Sequence, residues 1–417
     1  MRRMIPTLST VSLALAAAAP LHAQCTFEGI PTPYGTDPYR LVEWNGHYYD
    51  AGWFHLRHRP VEGGEWVATG GGLFGGGAAQ FAEAAVEWNG MLVVGGNFAG
   101  GGEVTSRGVI GWNGREFVAL GSGLAGEVTD LLVWNGRLVA GGHFFTTGAG
   151  APVSLVAVFD EETGEWAPLG EGLGNLPSGY SSWAIGQLCV HDGALLATGR
   201  FRSSGATTLN GVARFDESLG AWRPLGSGIA GMVDGNVGTA LASFDGRLWL
   251  SGWFGSVGGV AAPWMAIWNG KSWTPADAPV TRHALELVAH GGQLWGVGPG
   301  TFSVGDIARF DGVSWHGVAS SDINWPNSLT PTADGAGLLT CGNFQTIGDA
   351  EANLVRFDCG LGSTCEPDLD GDGMVGASDL ATLLGAWGSA GADLDGDGVT
   401  GASDLARMLG DWGACGG

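Results

Sequence analysis

Most of the chain repeats one pattern of short apolar stretches separated by turns. From Val128 to Trp134 apolar and polar residues alternate, which is the period of a half-buried β-strand. Asn135-Gly136 follows, and this dipeptide is a strong signal for a two-residue hairpin turn. Further apolar stretches come at 137–144, 155–159 and 166–173. The unit therefore predicts four short antiparallel strands.

The same unit recurs along the chain, with hairpin turns 43 to 57 residues apart. The turns begin at Asn45, Asn89, Asn135, Asp192, Asp245, Gly291 and Asp334. Repeats of this length, each with four strands, are typical of propellers, whose blades pack face to face. The pattern predicts an all-β fold, a seven-bladed β-propeller over residues 24–360, with six or eight blades as the alternatives.

Glycine pairs and tryptophans mark the repeats. Gly95-Gly96 and Gly141-Gly142 stand at equivalent places, and a tryptophan follows later in most repeats. In this respect the repeats loosely resemble those of kelch-type propellers, although the spacing from the glycine pair to the tryptophan is longer here. The resemblance implies the same blade architecture.

The outer strand of each predicted blade carries one aromatic residue, but six are found for seven repeats. They are Trp66, Phe117, Trp166, Trp222, Trp273 and Trp315. The last repeat stops at Cys359, before its fourth strand, and Phe27 lies ahead of the first blade. Because a propeller must join its first and last blades, the segment around Phe27 is expected to supply the missing strand. This predicts a disulfide between Cys25 and Cys359, and buried free thiols at Cys189 and Cys341.

Two acidic loops of twelve residues, 25 residues apart, lie near the end of the chain. Each has acids at positions 1, 3, 5 and 12 and glycine at position 6, the ligand spacing of a calcium loop. The carbonyl at position 7 adds another oxygen. The predicted ligands of two Ca²⁺ ions are Asp368, Asp370, Asp372, Met374 and Asp379, then Asp393, Asp395, Asp397, Val399 and Asp404. The alternative is an acidic turn exposed to solvent.

An apolar stripe with helical spacing follows each loop. It occurs at Leu380, Leu383, Leu384 and Trp387, and again at Leu405, Met408, Leu409 and Trp412. The pattern predicts two amphipathic helices that bury their stripes against each other. The small α-helical EF-hand module over 368–415 resembles the type I dockerin, a duplicated calcium loop and helix found on secreted bacterial proteins.

The dockerin resemblance implies a partner. Dockerins bind cohesin modules, often through loop positions 10 and 11, which are Ala377, Ser378, Ala402 and Ser403 in this chain. Many dockerins also carry a basic pair on the helix, where this chain has only Arg407. A cohesin-like protein module is therefore an expected partner, although the familiar basic pair is missing.

The beginning of the chain indicates export. Arg2 and Arg3 precede an apolar run from Val11 to Ala19, and small residues follow. This is the pattern of a secretory signal peptide over 1–23, with cleavage expected after Ala23. The protein is expected to be secreted, whether to the medium, the cell surface or the periplasm.

A short linker over 361–367 separates the two predicted modules, so the calcium module is expected to lie close to the propeller. Cys365 and Cys415 flank the calcium module on its two sides. In an exported chain this placement suggests a second disulfide that holds the module together.

Charge narrows the choice of partners. The net charge is −23, from 41 acidic residues against 18 lysines and arginines. Such an acidic surface argues against nucleic acid or anionic lipid as a partner. No run after the signal peptide is long and apolar enough to span a bilayer. Lys271 is the only lysine, which nearly excludes lysine chemistry.

Six of the seven repeats carry a Gly-x-Phe element whose middle residue varies while its neighbours hardly change; the sixth repeat has Gly298-Pro299-Gly300 instead. The middle residues are Trp53, Asn97, His143, Arg200, Trp253 and Asn343. If these side chains point toward one rim they line a ligand surface, where Trp53 and Trp253 stack on sugar rings or peptides. The alternative is that they pack between blades.

Known catalytic patterns are missing from the sequence, including Gly-x-Ser-x-Gly, His-Glu-x-x-His and the sialidase Asp box. Carboxylates paired only in space, as glycoside hydrolysis requires, leave no such pattern. The densest polar cluster contains His55, Arg57, His58 and Arg59. It is either a metal or anion site or, as we favour, a solvated strand face.

Three functions are compatible with these features. The favoured hypothesis is a non-catalytic propeller platform for a carbohydrate or protein ligand, carrying a calcium-stabilised docking module. The second is a carbohydrate-active enzyme of polysaccharide catabolism, a glycoside hydrolase or lyase, because dockerins commonly accompany such enzymes. In the third, the calcium module is purely structural.

Overall fold

A computed structural model gives the fold of this chain, which consists of β-strands with two short α-helices near its end. The residues that it describes are 25–32, 38–53, 55–75, 80–176, 184–232, 236–276, 280–321, 326–348, 350–359, 367, 369, 374–389, 391–394, 399–410 and 412–414. The predicted signal peptide, most of the predicted linker and parts of both acidic loops lie outside these ranges.

Seven four-stranded antiparallel sheets are found in the described part of the chain. We number them along the chain, with the strands of each in spatial order. Sheet 1 contains Pro38–Trp44, His47–Gly52, His55–Pro60 and Val67–Ala68; sheet 2 contains Phe81–Trp88, Met91–Asn97, Val109–Trp112 and Phe117–Ala119; sheet 3 contains Leu124–Trp134, Arg137–Thr147, Val156–Asp160 and Glu165–Pro168.

The remaining four sheets follow the same plan. Sheet 4 contains Ile185–His191, Ala194–Gly199, Val212–Asp216 and Ala221–Pro224; sheet 5 contains Val237–Phe244, Arg247–Trp253, Met265–Trp268 and Trp273–Pro275; sheet 6 contains Glu286–His290, Gln293–Phe302, Gly305–Phe310 and Trp315–Ala319; sheet 7 contains Pro326–Pro331, Leu338–Gly342, Leu354–Asp358 and Thr26–Gly29.

Short elements decorate these sheets. A 3-10 turn spans Thr69–Gly71, and Leu73–Phe74 pairs with Gly100–Gly101, which also pairs with Val104–Thr105. Two small hairpins join Ser203–Ser204 to Thr207–Thr208 and Ser256–Val257 to Val260–Ala261. All of these pieces precede a first strand or connect a second to a third strand, so they lie at one end of the sheets.

The sheets form a closed ring. The first strand of each sheet packs against the first strand of the next, and the first strand of sheet 7 packs against that of sheet 1. Since each first strand continues into a hairpin, a second and a third strand, the later strands lie progressively farther from the centre. This is the arrangement of a β-propeller, as the sequence predicts.

The predicted hairpin turns join the first and second strands. Both central residues of such a turn need a positive φ, which asparagine and glycine tolerate. In sheet 1, Asn45 has φ 48° and Gly46 has φ 71°, and the next five turns also have two positive φ values. In the turn of sheet 7 only Gly335 does, so that hairpin is built differently.

The core lies between neighbouring sheets, and tryptophans of the outer strands fill its widest part. Trp166, Trp222 and Trp273 are buried. Each donates its indole N–H to a backbone carbonyl just after the outer strand of the preceding sheet, at 2.9–3.1 Å. These side chains therefore combine burial with a hydrogen bond that holds neighbouring sheets together.

The ring closes as predicted. Thr26–Gly29 forms the fourth strand of sheet 7, and the rings of Phe27 and Phe357 stack with centroids 5.5 Å apart. Trp66 beside the outer strand of sheet 1 donates to Pro31 O at 2.7 Å, so the seam repeats the pattern of the other outer-strand tryptophans. The disulfide between Cys25 and Cys359 is present.

The predictions for the other cysteines divide. Cys189 and Cys341 are buried and free, as expected. Cys365 and Cys415 lie outside the described residues, so the second disulfide remains a prediction. Burial raises the pKa of both free thiols to about 12, which makes them unreactive near neutral pH.

Two helices end the fold, α1 over Ala377–Gly385 and α2 over Ala402–Gly410. Leu383 and Met408 are fully buried where the helices meet, as the stripes predict. The stripe prediction is wrong for four residues, which are each about half exposed: Leu384, Trp387, Leu409 and Trp412. Both tryptophans follow the last helical residue, so they no longer obey the helical period, and each two-turn helix buries only a narrow face.

Candidate functional site

The centre of the ring is shaped by bulges in the first strands. In six of the seven described first strands, the register with the second strand shifts by one residue, near the start of the strand in five sheets and in the middle of Leu124–Trp134 in sheet 3. The extra residues are Tyr39, Glu83, Thr129, Gly186, Thr239 and Asn327. A bulge turns the extra side chain away from the regular ladder and is common beside functional sites.

The Gly-x-Phe element explains how the bulge is accommodated. A Cβ on Gly96, Gly142, Gly199 or Gly252 would lie only 2.1–2.3 Å from a backbone carbonyl oxygen of the first strand of the same sheet or of the residue just before that strand. Glycine is therefore required where the second strand passes the bulge. The phenylalanine of the element is buried in the described repeats, as Phe144 and Phe201 are at 0% exposure, so it anchors the end of the second strand.

A concave cavity of about 450 Å³ opens where the bulges meet, and we call it the mouth cavity. Every one of the seven sheets, or the segment leading into it, contributes to its wall. The lining residues are Tyr39, Arg40, Glu83, Glu127, Thr129, Gly186, Trp253, Arg282, His283, Leu285, Pro299 and Asn327. The hairpin turns of the first and second strands lie at the opposite end of the ring.

Side chains beside the mouth cavity join each sheet to the next, and we call this set of contacts the inner belt. It includes the hydrogen bonds Arg40 Nε to Glu83 O (3.4 Å), Thr129 Oγ1 to Ile185 O (3.0 Å), Leu188 N to Asp130 Oδ2 (2.6 Å), Leu241 N to Gln187 Oε1 (3.0 Å), Thr239 Oγ1 to Ala284 O (2.6 Å), Leu329 N to Glu286 Oε2 (2.9 Å) and Asn327 Nδ2 to Pro38 O (3.0 Å). A carboxyl pair, described below, joins sheets 2 and 3.

An ion pair crosses the centre of the ring. Arg40 Nη1 lies 2.7 Å from Glu286 Oε1, although sheets 1 and 6 are not neighbours. Burial opposes the charge on Arg40, but the Glu286 carboxylate outweighs burial and raises the pKa of the guanidinium. Glu286 uses its second oxygen for the Leu329 amide, so this ion pair also belongs to the inner belt.

Three acidic groups next to this ion pair hold protons unusually tightly. Burial, followed by the neighbouring Glu127, raises the pKa of Glu83 well above its ordinary value. Burial also raises the pKa of Glu127. Burial raises the pKa of Asp130 to about 7, against two backbone N–H donors that favour its ionised form.

The carboxyl groups of Glu83 and Glu127 hydrogen-bond to each other across the boundary of sheets 2 and 3. Two ionised carboxylates have only acceptors, so this bond requires one proton between them. Together they form a carboxyl pair with one shared proton.

Aromatic rings form two further walls of the mouth cavity. Trp253 is 42% exposed and its ring centroid lies 4.7 Å from that of His283, with the Arg282 guanidinium 6.0 Å from the indole. Burial, followed by Arg282, lowers the pKa of His283 to about 4, so this ring is neutral near pH 7. Near sheets 1 and 2, Tyr39 packs against Trp53 and Phe81 with centroids about 6 Å apart.

The structure separates the six variable residues of the Gly-x-Phe elements. Trp253 lines the mouth cavity, and Trp53 donates its indole N–H to the Tyr39 hydroxyl on that wall. The other four do not line this cavity: Asn97 is half-buried at the end of its second strand, His143 is half-buried within Arg137–Thr147, Arg200 is buried and Asn343 is exposed.

The bulge residues were not predicted from the sequence, although a spacing marks them. In sheets 1 to 5 the bulge residue stands six residues before the hairpin turn, and the same count before Gly291 reaches Leu285. Five of the six residues chosen in this way line the mouth cavity. Glu127 does not follow the rule, so the carboxyl pair was not visible in the sequence.

The cluster of histidines and arginines belongs to sheet 1 and is packed rather than solvated. Arg57 and His55 contact the fully buried Asp50 carboxylate, with 3.1 Å between His55 Nε2 and Asp50 Oδ2. Arg57 and Arg59 lie 5.6 and 5.9 Å from the Trp66 ring. The favoured interpretation of a solvated strand face is therefore wrong, because carboxylate and aromatic partners cover these side chains.

Five of the ten predicted calcium ligands lie in the described residues, and the two at position 12 are the most informative. Asp379 and Asp404 are both fully buried. Each accepts a backbone N–H from loop position 2 at 2.7–2.8 Å and another from position 9 at 2.6–2.7 Å. Met374, Asp393 and Val399 are also described, whereas Asp368, Asp370, Asp372, Asp395 and Asp397 are not.

The two loops have equivalent surroundings. Met374–Val375 pairs with Gly413–Ala414. Thr400, the counterpart of Val375 in the second repeat, pairs in the same way with Gly388 and Ser389, the counterparts of Gly413 and Ala414. The proposed docking residues Ala377, Ser378, Ala402 and Ser403 are all exposed. A hard cation prefers carboxylate oxygens as ligands, and the module has a buried carboxylate at the same position of each loop. The described part of the module therefore fits calcium.

Comparisons with known proteins find solved structures that are similar at low sequence identity. No protein-family model and no curated protein sequence matches it. A chain of the mitotic checkpoint complex has a TM-score of 0.45 at 13% identity, covering 84% of this chain and 98% of that one. PorZ, a surface component of the type-IX secretion system of Porphyromonas gingivalis, has 0.46 at 17%, covering 82% and 50%. YCF48 bound to D1 peptide has 0.47 at 14%, covering 82% and 97%.

Among the described residues, no helix is long and apolar enough to cross a membrane. The described residues also contain no group of three or more metal-ligating side chains. Five carboxylates of the acidic loops lie outside the described residues, so the calcium site stays a prediction.

The raised pKa of Asp130 predicts a pH dependence of stability. Between its ordinary pKa near 4 and the folded value of about 7, the folded chain holds a proton that the unfolded chain has lost, so stability falls as pH rises through this window. Asp130→Asn removes this titration and should flatten the fall between pH 5 and pH 8 by on the order of 2 kcal/mol. Urea unfolding at several pH values measures it.

Asp216→Asn is the matched control, because Asp216 is a turn carboxylate whose pKa is lowered by the Ser218 hydroxyl and it stays ionised throughout that range. An equal pH slope in wild type and Asp130→Asn would contradict the assignment of this titration to Asp130.

Proposed function

We propose that this chain is an exported, non-catalytic binding protein in which a seven-bladed β-propeller presents its mouth cavity to a ligand. The mouth cavity carries the proposal, because all seven sheets contribute to it and its variable side chains stand on a repeated scaffold of bulges and glycines. Cavities of this size with aromatic walls and a few convergent polar groups are typical ligand sites. The ligand class is a carbohydrate or a protein segment.

Export is supported by the seam disulfide. Disulfides of this structural kind form and persist in oxidising compartments outside the cytosol. The bond between Cys25 and Cys359 starts two residues after the expected cleavage at Ala23, so removal of the signal peptide leaves it intact.

The carboxyl pair argues against the alternative of a glycoside hydrolase at this cavity. The two carboxyl groups of such enzymes stand about 5–9.5 Å apart, with the substrate between them. Glu83 and Glu127 instead contact each other through a hydrogen bond. A binding role needs no such separation, so it is the function we favour.

For the end of the chain we propose a dockerin-like module that binds two Ca²⁺ ions. Bound calcium supplies positive charge that offsets the repulsion among the loop carboxylates, so metal binding and folding are coupled. The equivalent contacts of Asp379 and Asp404 support this proposal, since each closes its own loop in the same way. The exposed residues at loop positions 10 and 11 then remain accessible to a cohesin-like module.

A glycan array and a peptide array, both probed with the full chain, test the role of the mouth cavity. Ligand binding should be lost or weakened at least tenfold in Trp253→Ala, because this exposed ring forms one wall of the cavity. Val313→Ala is the control, since Val313 is 88% exposed in a turn at the opposite end of sheet 6. Release of reducing sugar from any bound glycan would contradict the non-catalytic role.

Calorimetric titration of the full, calcium-depleted chain tests the module, and we expect two bound Ca²⁺ ions. The double variant Asp370→Ala, Asp395→Ala should remove both sites, whereas Asp216→Ala should bind like wild type. Chelation by EDTA should increase hydrogen exchange in α1 and α2 and leave the seven sheets protected. A chain that takes up no calcium, or helices that exchange equally slowly in EDTA, would contradict the proposal.

A further inference from the structure

The mouth cavity has an uneven distribution of charge. On the side of sheets 2 and 3, Glu83 and Glu127 line the wall, and the positive charge of Arg40 only partly offsets the burial and the Glu127 charge that raise the pKa of Glu83. Arg40 reaches this side only through its Nε, which donates to the backbone oxygen of Glu83 at 3.4 Å. The guanidinium charge of Arg40 is directed at Glu286 instead.

Other charged or titratable groups near the carboxyl pair do not supply a counter-ion. Asp130 accepts two backbone N–H groups. His143 is the register partner of Glu127, and its ring packs against Phe145 at 5.3 Å. Across the cavity, Arg282 and His283 pack around Trp253, on the wall formed by sheets 5 and 6. The carboxyl pair therefore faces the open volume of the cavity.

Aromatic and apolar groups surround the route to the carboxyl pair. Tyr39 lies next to Glu83 in the ring, since the two are the bulge residues of neighbouring sheets. Trp253 offers a half-exposed ring on the other wall, and Leu285 adds an apolar contact. Such a passage accommodates an aliphatic stem with a cation at its tip, because aromatic rings attract cations and the stem covers apolar surface.

We propose that the mouth cavity takes a basic side chain of a peptide, lysine or arginine, whose positive charge lies against the carboxyl groups of Glu83 and Glu127 on the cavity wall. This inference rests on the proposed binding role of the mouth cavity and names the ligand class. When the cation enters, the proton of the pair passes to the solvent, and both carboxylates become acceptors for the N–H groups of the ligand. Arg282 on the opposite wall disfavours a second positive charge there and so orients the ligand.

The effect of pH on binding distinguishes this ligand from a neutral sugar. A sugar hydroxyl satisfies a carboxyl group in either protonation state, so it has no reason to expel the proton. A cation gains most when both carboxylates are ionised, so its affinity should rise with pH as the pair loses its proton. Binding of the proposed ligand is therefore linked to proton release.

The test uses the full chain and two probes, acetyl-Gly-Gly-Lys-Gly-Gly-amide and the same peptide with norleucine in place of lysine. Calorimetry in two buffers of different ionisation enthalpy gives affinity and the number of protons released. We expect the lysine peptide to bind at least tenfold more tightly, with release of about one proton. Arginine in place of lysine should behave in the same way.

Glu83→Gln and Glu127→Gln should each reduce binding of the lysine peptide at least tenfold, and the double variant should release no proton. The glutamine pair keeps a hydrogen bond between sheets 2 and 3, and its melting temperature shows whether the ring is intact. Glu116→Gln is the matched control, because Glu116 is exposed in a turn at the opposite end of the ring. Proton release by wild type needs no variant and tests the proposal independently.

The outcomes separate this inference from the proposed function. Equal affinity for the lysine and norleucine peptides, or binding without proton release, would overturn the inference and leave the mouth cavity as a binding site. The same holds if a glycan binds in a manner sensitive to Trp253→Ala while neither peptide binds. If no probe binds and no array ligand depends on Trp253, both the inference and the proposed function fail.

Discussion

Joining the last sheet of the ring to the first is the constraint on which the rest of the structure depends. Without Thr26–Gly29, the strand Leu354–Asp358 would be left as an open edge, and edges of this kind invite pairing with other chains. The disulfide between Cys25 and Cys359 ties the beginning of the propeller to its end, 334 residues away. The inner belt completes the same task at the centre, where side chains join each sheet to its neighbour.

The mouth cavity follows from this closure. A bulge in a single sheet would only bend it, whereas bulges repeated around a closed ring direct the side chains of Tyr39, Glu83, Thr129 and Asn327 toward one opening. The packing of consecutive sheets brings Glu83 and Glu127 together, because they lie on the first strands of sheets 2 and 3. Above their pKa these carboxyl groups are ionised in a partly buried site, and this destabilises the folded chain. Carboxyl groups of this kind are typical of binding sites rather than of packing cores.

The sequence predicted those features that depend on local chemistry or on closure of the ring. Asn45-Gly46 and its equivalents specify hairpins because few other residues tolerate a positive φ, and the missing seventh aromatic residue identified Phe27. The partners of His55 and Arg57 could not be predicted, because Asp50 faces them across a strand pair. The exposure of Trp387 was missed because the helical stripe ignores where α1 ends, and that of Leu384 because so short a helix buries only a narrow face. The carboxyl pair joins two different repeats, and no local pattern marks both of its members.

Hydrogen exchange measured at each amide of the chain, with and without the seam disulfide, tests the closed ring most directly. In wild type, the Leu188, Leu241 and Leu329 amides of the inner belt should exchange only through global unfolding. In the double variant Cys25→Ser, Cys359→Ser the free energy of opening should fall in all seven sheets together, by roughly 2–5 kcal/mol. Faster exchange confined to sheet 7, with the other six sheets unchanged, would contradict the account.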